Sequence, residues 1–380
     1  MKLLRKNGLR ATALGALAVS GALVLTACGS DDNSDDTGSG STSAAASAPA
    51  ANAACDGAKG QLRASGSSAQ ANAQNVWAKG YMAACPGVEI NYKASSSGEG
   101  ITAFNQGSVG FAGSDSPLKP EEVADSKKVC AGGQGIDLPM VGGPIAIGYH
   151  LEGVDNLTLD APTLAKIFAT KIKKWDDPAI KALNPDAKLP GKAIQPFHRS
   201  EDSGTTDNLG KYLTAAAPKD WTFEGGKSWP APGGQAASGS AGVATQVKQV
   251  DGSIGYFELS YATSQQISTV DIDTGAATPA KATTDNASKA IGAAKVVGTG
   301  SDLSLQLDYT TKADGAYPIV LVTYEIVCDK GNKADTLGTV KSYLNYTAGD
   351  EGQKQLAAAG YAPIPTEINA KVRTAIAALS

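Results

Sequence analysis

Apolar and polar positions along the chain change period repeatedly between about 2 and 3.6, the mark of strands alternating with helices. A short strand over Gln61–Ala64 is followed by a helix that spaces Val76, Trp77 and Tyr81 along one face, then by a strand over Val88–Tyr92 and a helix carrying Ile101 and Phe104. Val109 to Asp115 reads as an apolar strand ending in a carboxylate, Leu164, Ile167 and Phe168 mark a helix, and Ala193–Phe197 is a strand leading to a helix with Leu209, Tyr212 and Leu213 at i, i+3, i+4. Near the C-terminus Pro318–Val327 is a continuous apolar strand, and Leu337–Leu344 and Gly352–Ala359 predict two helices. The pattern predicts an α/β protein without internal repeats. Gly225 to Gly242, rich in Gly, Ser, Ala and Pro, reads as a loop rather than a domain boundary, because periodic segments resume directly after it.

The first residues do not fit this alternation. Lys2, Arg5, Lys6 and Arg10 precede an apolar run from Ala13 to Leu25 that is short for a membrane span, the form of a signal peptide over residues 1–27. Leu25-Thr26-Ala27-Cys28 closes it and is similar to the bacterial lipoprotein signal, in which cleavage precedes a cysteine that is then acylated by fatty acids such as palmitate. Two or three acyl chains hold a protein on a bilayer more firmly than the marginal binding of one, so Cys28 is expected to anchor the chain to the outer face of the cell membrane. Residues 28–54 contain no large apolar residue beyond the anchor and form a disordered linker, which leaves 55–380 as the folded part.

Charge narrows the function. The full chain carries a formal net charge of −4. Removing residues 1–27 leaves 29 basic against 37 acidic side chains, net −8, which argues against a nucleic-acid partner. A chain of that sign that binds an anion must do so with local dipoles and hydrogen bonds, because its overall field is repulsive. Besides Cys28 there are Cys55, Cys85, Cys130 and Cys328, an even number that in an exported chain favours disulfides. Two histidines and no close ligand spacing argue against zinc, and no metal or cofactor is expected. Three disulfide pairings are open. If the strands after Cys55 and Cys85 are parallel neighbours, those thiols meet at one end of a sheet and Cys130 is left with Cys328.

The candidate chemistry is a composition repeated at three strand-to-helix turns: Ser65-Gly66-Ser67-Ser68, Ser95-Ser96-Ser97-Gly98-Glu99-Gly100 and Ser203-Gly204-Thr205-Thr206. A helix start offers unpaired N–H groups and the positive end of the dipole, glycine admits a ligand to the backbone, and Ser or Thr adds hydroxyl donors. A single such turn is most simply a helix cap; three together form an anion seat. Arg199 beside the third turn supplies a charged donor fork, and Glu201 lies close enough to hold it. Asp115 looks misplaced beside an anion. It becomes sensible if the ligand carries a proton, since an ionised carboxylate can only accept a hydrogen bond and repels an anion that has none to give.

Two motifs point elsewhere. Gly98-Glu99-Gly100-Ile101-Thr102-Ala103 imitates a dinucleotide-binding turn, but no ribose-binding acid follows at about 20 residues. Gly225-Gly226-Lys227-Ser228 imitates the end of a phosphate-binding P-loop, but Trp221 stands where its first glycine belongs.

Longer segments make the reading specific. Asn91-Tyr92 leading to Ser97, Gly100 and Gly113-Ser114-Asp115-Ser116-Pro117-Leu118; Lys166-Ile167-Phe168 through Trp175-Asp176-Asp177-Pro178-Ala179-Ile180 and Leu183-Asn184-Pro185; Gly252-Ser253-Ile254-Gly255-Tyr256; and Gly360-Tyr361-Ala362-Pro363-Ile364-Pro365 resemble the phosphate-binding protein of the bacterial high-affinity phosphate ABC transporter. The likeness runs over nearly all of residues 61–375. It implies a two-lobed periplasmic-binding-protein-like (type II) α/β fold with a ligand cleft at the hinge, lobe I at 55–143 plus 319–380 and lobe II at 144–318. It also implies a monomeric receptor, not an enzyme, that binds inorganic phosphate and delivers it to the transmembrane permease subunits of the transporter. By position, Ser68, the backbone at Ala69, Ser97 and Asp115 would contact phosphate from one lobe, and Arg199, Ser203, Gly204 and Thr205 from the other, with Glu201 supporting Arg199. A receptor for sulfate or molybdate is the alternative, and an exported phosphatase a more distant one that lacks an evident nucleophile or metal set.

Overall fold

The computed structural model describes Cys55 and residues 57–380. The predicted signal peptide, Cys28 and the linker therefore lie outside the described residues. Among the described residues no helix is long and apolar enough to cross a membrane.

The strands are β1 (Gly60–Ser67), β2 (Val88–Ser95), β3 (Phe111–Ser114), β4 (Gly135–His150), β5 (Thr158–Asp160), β6 (Gln195–Arg199), β7 (Gln235–Ala237) and β8 (Ser253–Glu258). Four short ones follow, β9 (Ser268–Thr269), β10 (Asp271–Asp273), β11 (Lys295–Val296) and β12 (Leu305–Gln306), and then the long β13 (Val320–Cys328). The helices that matter below are α1 (Ala71–Ala84), α2 (Ser97–Asn105), α3 (Pro120–Ser126), α4 (Ala161–Phe168), α5 (Pro178–Leu183), α6 (Gly204–Ala216) and α7 (Gly239–Gln249). The α/β alternation is as the periodicity predicts. The exception is the stretch read as a loop from Gly225, which contains β7 and the start of α7. Small and polar residues there hide the period, because the apolar contacts of α7, at Val243, Ala244 and Val247, come only after its first turn.

One mixed sheet runs through the molecule in the order β2-β1-β3-β13-β4-β8-β6-β7. β1 pairs parallel with both β2 and β3, and β6 pairs parallel with both β8 and β7. Between these two parallel groups β13 runs antiparallel to β3 and β4, and β4 antiparallel to β8. β4 changes partner along its length: Gly135 to Pro144 face β13, whereas Ile145 to His150 face β8. Both faces of these central strands are covered, and all nine residues of β13 are buried. Near-continuous apolar sequence, rather than alternation, is the pattern that follows.

Helix α1 shows how the outer layer is fixed. It buries Ala73, Gln74, Trp77 and Tyr81, one face at i, i+4 spacing. The polar ends of its two aromatics are satisfied in the core, Trp77 Nε1 on Gly352 O at 2.8 Å and Tyr81 Oη with Ser342 Oγ at 2.7 Å. Both disulfides form. Cys55 bonds Cys85 with Cα atoms 5.5 Å apart, as parallel pairing of β1 and β2 requires, and Cys130 bonds Cys328 at 5.3 Å.

Candidate functional site

The three serine-rich turns lie at the ends of β1, β2 and β6, and the chain brings them together. Ser96 caps α2 by accepting from Glu99 N at 3.2 Å, and Ser203 caps α6 by accepting from Thr206 N at 3.3 Å. Capping is thus one real use of these hydroxyls. The residue after each cap does something else. Ser97 Oγ accepts from Asp115 N and from Gly204 N, both at 3.1 Å, so the first residue of α2 binds the first residue of α6 across 107 positions.

This approach depends on glycine. A Cβ on Gly204 would stand 2.6 Å from Ser97 Oγ and 2.7 Å from Asp115 Cβ, and one on Gly98 would stand 2.6 Å from Asp202 Cβ. Either would hold the two segments apart, which gives Gly98 and Gly204 a steric role that helix propensity alone would oppose.

Asp115 sits one residue beyond β3 and is 2% exposed. Its Oδ1 accepts from Thr323 Oγ1 and its Oδ2 from Thr205 Oγ1, each at 3.0 Å, while its carbonyl accepts from Asn208 Nδ2 at 2.7 Å. Burial pushes its pKa up, and the hydroxyls of Ser67, Thr323 and Thr205 and the charge of Arg199 work against that rise.

Arg199, the last residue of β6, has a side chain 1% exposed. Its Nε donates to Glu201 Oε1 at 2.7 Å and its second terminal nitrogen reaches the same oxygen, while Nη1 lies 3.4 Å from Ser240 Oγ. Glu201 is held in turn by Gly239 N at 2.8 Å and Ser200 Oγ at 2.7 Å. Burial opposes its ionisation, but Arg199 and these hydrogen bonds outweigh burial and keep its carboxyl below the usual range. The pair is therefore ionised and fixed, so the guanidinium is aimed before any ligand arrives.

Ser68 lies opposite, accepting from Ser240 N at 2.9 Å. Its own carbonyl accepts from Tyr261 Oη at 2.7 Å, and the carbonyl of Ala69 accepts from Tyr361 Oη at 2.6 Å. All eight residues predicted to line the site, Ser68, Ala69, Ser97, Asp115, Arg199, Ser203, Gly204 and Thr205, converge on one buried seam. Four others join them: Ser67, Asn208, Ser240 and Thr323. Ser238-Gly239-Ser240 at the start of α7 repeats the composition of the other turns and was legible on that ground. Thr323 had no signal, being a single hydroxyl inside an apolar strand. A wide surface cleft of about 890 Å³ beside α2, bordered by Arg63, Tyr92, Lys93 and Asp202, touches the rim of the seam at Gly98, Glu201 and Asp202 but is lined by none of the eight predicted residues.

In chemical terms the seam concentrates backbone N–H groups at helix starts, seven hydroxyls (Ser67, Ser68, Ser97, Ser203, Thr205, Ser240, Thr323) and one guanidinium, against one acceptor-only carboxylate not already paired with a cation. That is a set for holding a compact oxyanion by several donors while offering it one acceptor.

Comparison with known proteins agrees. Residues 44–351 match the model of the PBP superfamily domain. The chain is 45% identical over 371 residues to phosphate-binding protein PstS 3 of Mycobacterium tuberculosis, covering 97% of this chain and 98% of that one. It is 40% identical over 381 residues to PstS 2 of the same species, covering 98% and 99%. Among solved structures, a high-affinity periplasmic phosphate-binding protein bound with phosphate superposes with a TM-score of 0.69 at 22% identity, over 83% of this chain and 93% of that one. A protein from Clostridium perfringens solved with bound phosphate gives 0.59 at 18% identity, over 80% and 100%. Sheet order, convergent helix starts and sequence together assign the chain to the PBP superfamily, and within it to the phosphate-binding proteins.

Proposed function

We propose that this protein binds inorganic phosphate between two lobes and passes it to the permease of a phosphate ABC importer. The lobes are residues 55–143 with 319–380, and residues 144–318. The change of partner along β4 at Pro144 and Ile145, and the start of β13 at Val320, support this division, because the chain there leaves one parallel group of strands and enters the other.

The observation that carries the reading is the ring of contacts around Asp115, Ser97, Gly204 and Thr205. The groups that bond one another across the seam, Gly204 N, Thr205 Oγ1 and Ser97 Oγ, are the donors a tetrahedral oxyanion would take up. Arg199 supplies charge, and Asp115 accepts a hydrogen bond from the proton that phosphate retains at neutral pH. An anion bound by both lobes favours the closed form over the open one, and the permease can distinguish the two. Sulfate or molybdate is the second reading, and Asp115 argues against it, since neither dianion carries a proton there. The relatives are named as binding proteins, which supports a receptor rather than an enzyme.

Titration calorimetry on protein stripped of ligand tests the proposal. Phosphate and arsenate, alike in shape and protonation, should bind and compete, and sulfate should not. Sulfate binding as tightly as phosphate would overturn it. We further propose that Cys28 is acylated after cleavage of residues 1–27, which Leu25-Thr26-Ala27-Cys28 supports. Cys28→Ser should release the protein from membranes with phosphate binding unchanged.

A further inference from the structure

The imitation P-loop Gly225-Gly226-Lys227-Ser228 has no part in the anion seat, yet its lysine is only 6% exposed. Buried lysines require a partner, and Lys227 Nζ lies 2.6 Å from Glu122 Oε1 of α3. Glu122 is fixed in advance: its other oxygen accepts from Lys119 N at 2.8 Å at the start of its own helix. In the division proposed above, Lys227 belongs to one lobe and Glu122 to the other. Among the described residues theirs is the one ion pair that joins the lobes, the remaining pairs each lying within a single lobe.

The lysine is also tied to the seat. Its carbonyl accepts from Ser203 N at 2.9 Å, and the next residue, Ser228, donates to Asp202 Oδ1. The carbonyl of Asp202 in turn accepts from Gly98 N at 2.9 Å across the seam. Displacement of the turn that carries Ser203, Gly204 and Thr205 is thus transmitted to the backbone of Lys227, and separation of the lobes breaks the pair.

Resting on the phosphate reading, we propose that Lys227 and Glu122 form a latch that positions the lobes around the bound anion and sets how long it stays. In the closed form the ammonium has lost its water and depends on Glu122. Opening restores water to both groups. Removing one partner therefore favours the open form, and the larger effect comes from removing the carboxylate, because the more buried group is then left charged and alone. Removing both charges relieves that penalty. A merely structural pair would alter melting temperature without this pattern in ligand release.

The test follows release of radiolabelled phosphate from purified wild-type, Glu122→Gln, Lys227→Met and doubly substituted protein, chased with excess unlabelled phosphate, with circular dichroism confirming the fold of each. Glu122→Gln should speed release about tenfold or more with association changed far less, Lys227→Met should do so to a smaller extent, and adding Lys227→Met to Glu122→Gln should bring the rate back toward wild type. Release within about twofold of wild type in Glu122→Gln, or a double variant no slower than Glu122→Gln, overturns the latch. Failure of the wild type to retain phosphate at all overturns the phosphate reading itself and is a separate result. Where Lys227→Met fails to fold, the rate for Glu122→Gln alone still decides, since Glu122 is partly exposed and keeps its bond to Lys119 as an amide.

Discussion

Thr323 donates its hydroxyl to Asp115 Oδ1 at 3.0 Å, joining two residues 208 positions apart. Thr205 holds the other oxygen at the same distance from a third part of the chain. The carboxylate is thereby oriented by strand β13 on one side and by the first turn of helix α6 on the other, which is the arrangement a selectivity element needs, since a freely rotating carboxyl could turn away from a ligand it is meant to reject.

Asp115→Asn should weaken the rejection of sulfate, because an amide replaces an acceptor-only group by one that also donates. Calorimetry with phosphate and sulfate at one pH and ionic strength measures it. An unchanged preference for phosphate would make Asp115 a structural residue tying β3 to Thr323.

Arg199 and Thr205 should fail by different amounts. Arg199→Ala removes a charge-assisted partner in a buried seam and leaves Glu201 unpaired, a loss of about 2 to 5 kcal/mol in phosphate binding. Thr205→Ala loses one hydroxyl, nearer about 1 kcal/mol. Equal losses in the same titration would show that Arg199 serves only to hold Glu201.

Reduction should separate the disulfides by loop length. Cys130 and Cys328 close 198 positions and Cys55 and Cys85 close 30. Each should stabilise the fold by about 2 to 4 kcal/mol, the longer loop at the upper end or beyond it. Replacing Cys130 and Cys328 by Ala should therefore lower the melting temperature more than replacing Cys55 and Cys85, with phosphate affinity retained in both. The reverse order would mean that local strain or residual structure outweighs chain entropy.

Two buried carboxyls make stability depend on pH. Burial pushes Glu258 and Glu325 each up to about 8, and each has one oxygen without a hydrogen-bond partner among the described residues. In the unfolded chain a glutamate titrates near about 4.3. Between those values the folded state holds protons that the unfolded state has released, so stability falls as pH rises through that window, is complete below it and levels off above about 8. Glu325→Gln keeps an acceptor for Gln70 and Gln74 and removes the titration, so its melting temperature should decline less than that of wild type between pH 5 and 8. Parallel curves for the two proteins would show that Glu325 does not change protonation on unfolding.

The alternation of strands and helices, the fold class and the three serine-rich helix starts that converge on the seam were legible in the amino-acid sequence because each is local. A strand end, a glycine and a run of hydroxyls before an apolar helical face are written within a few residues, and the physics of a helix start needs nothing more distant. Arg199 and Glu201 were legible for the same reason, being two residues apart. Ser240 lay just within reach: its Ser-Gly-Ser signal was present, but small residues concealed the helix it opens. Thr323, Asn208 and the pair of Lys227 with Glu122 were decided only by tertiary structure. Thr323 reaches Asp115 because β13 enters the sheet between β3 and β4, and Lys227 meets Glu122 because β4 passes from one group of strands to the other and the chain after it returns against α3. Neither fact leaves a mark near the residues concerned, since the energy that sets strand order is the burial of whole apolar faces, spread over the length of the chain.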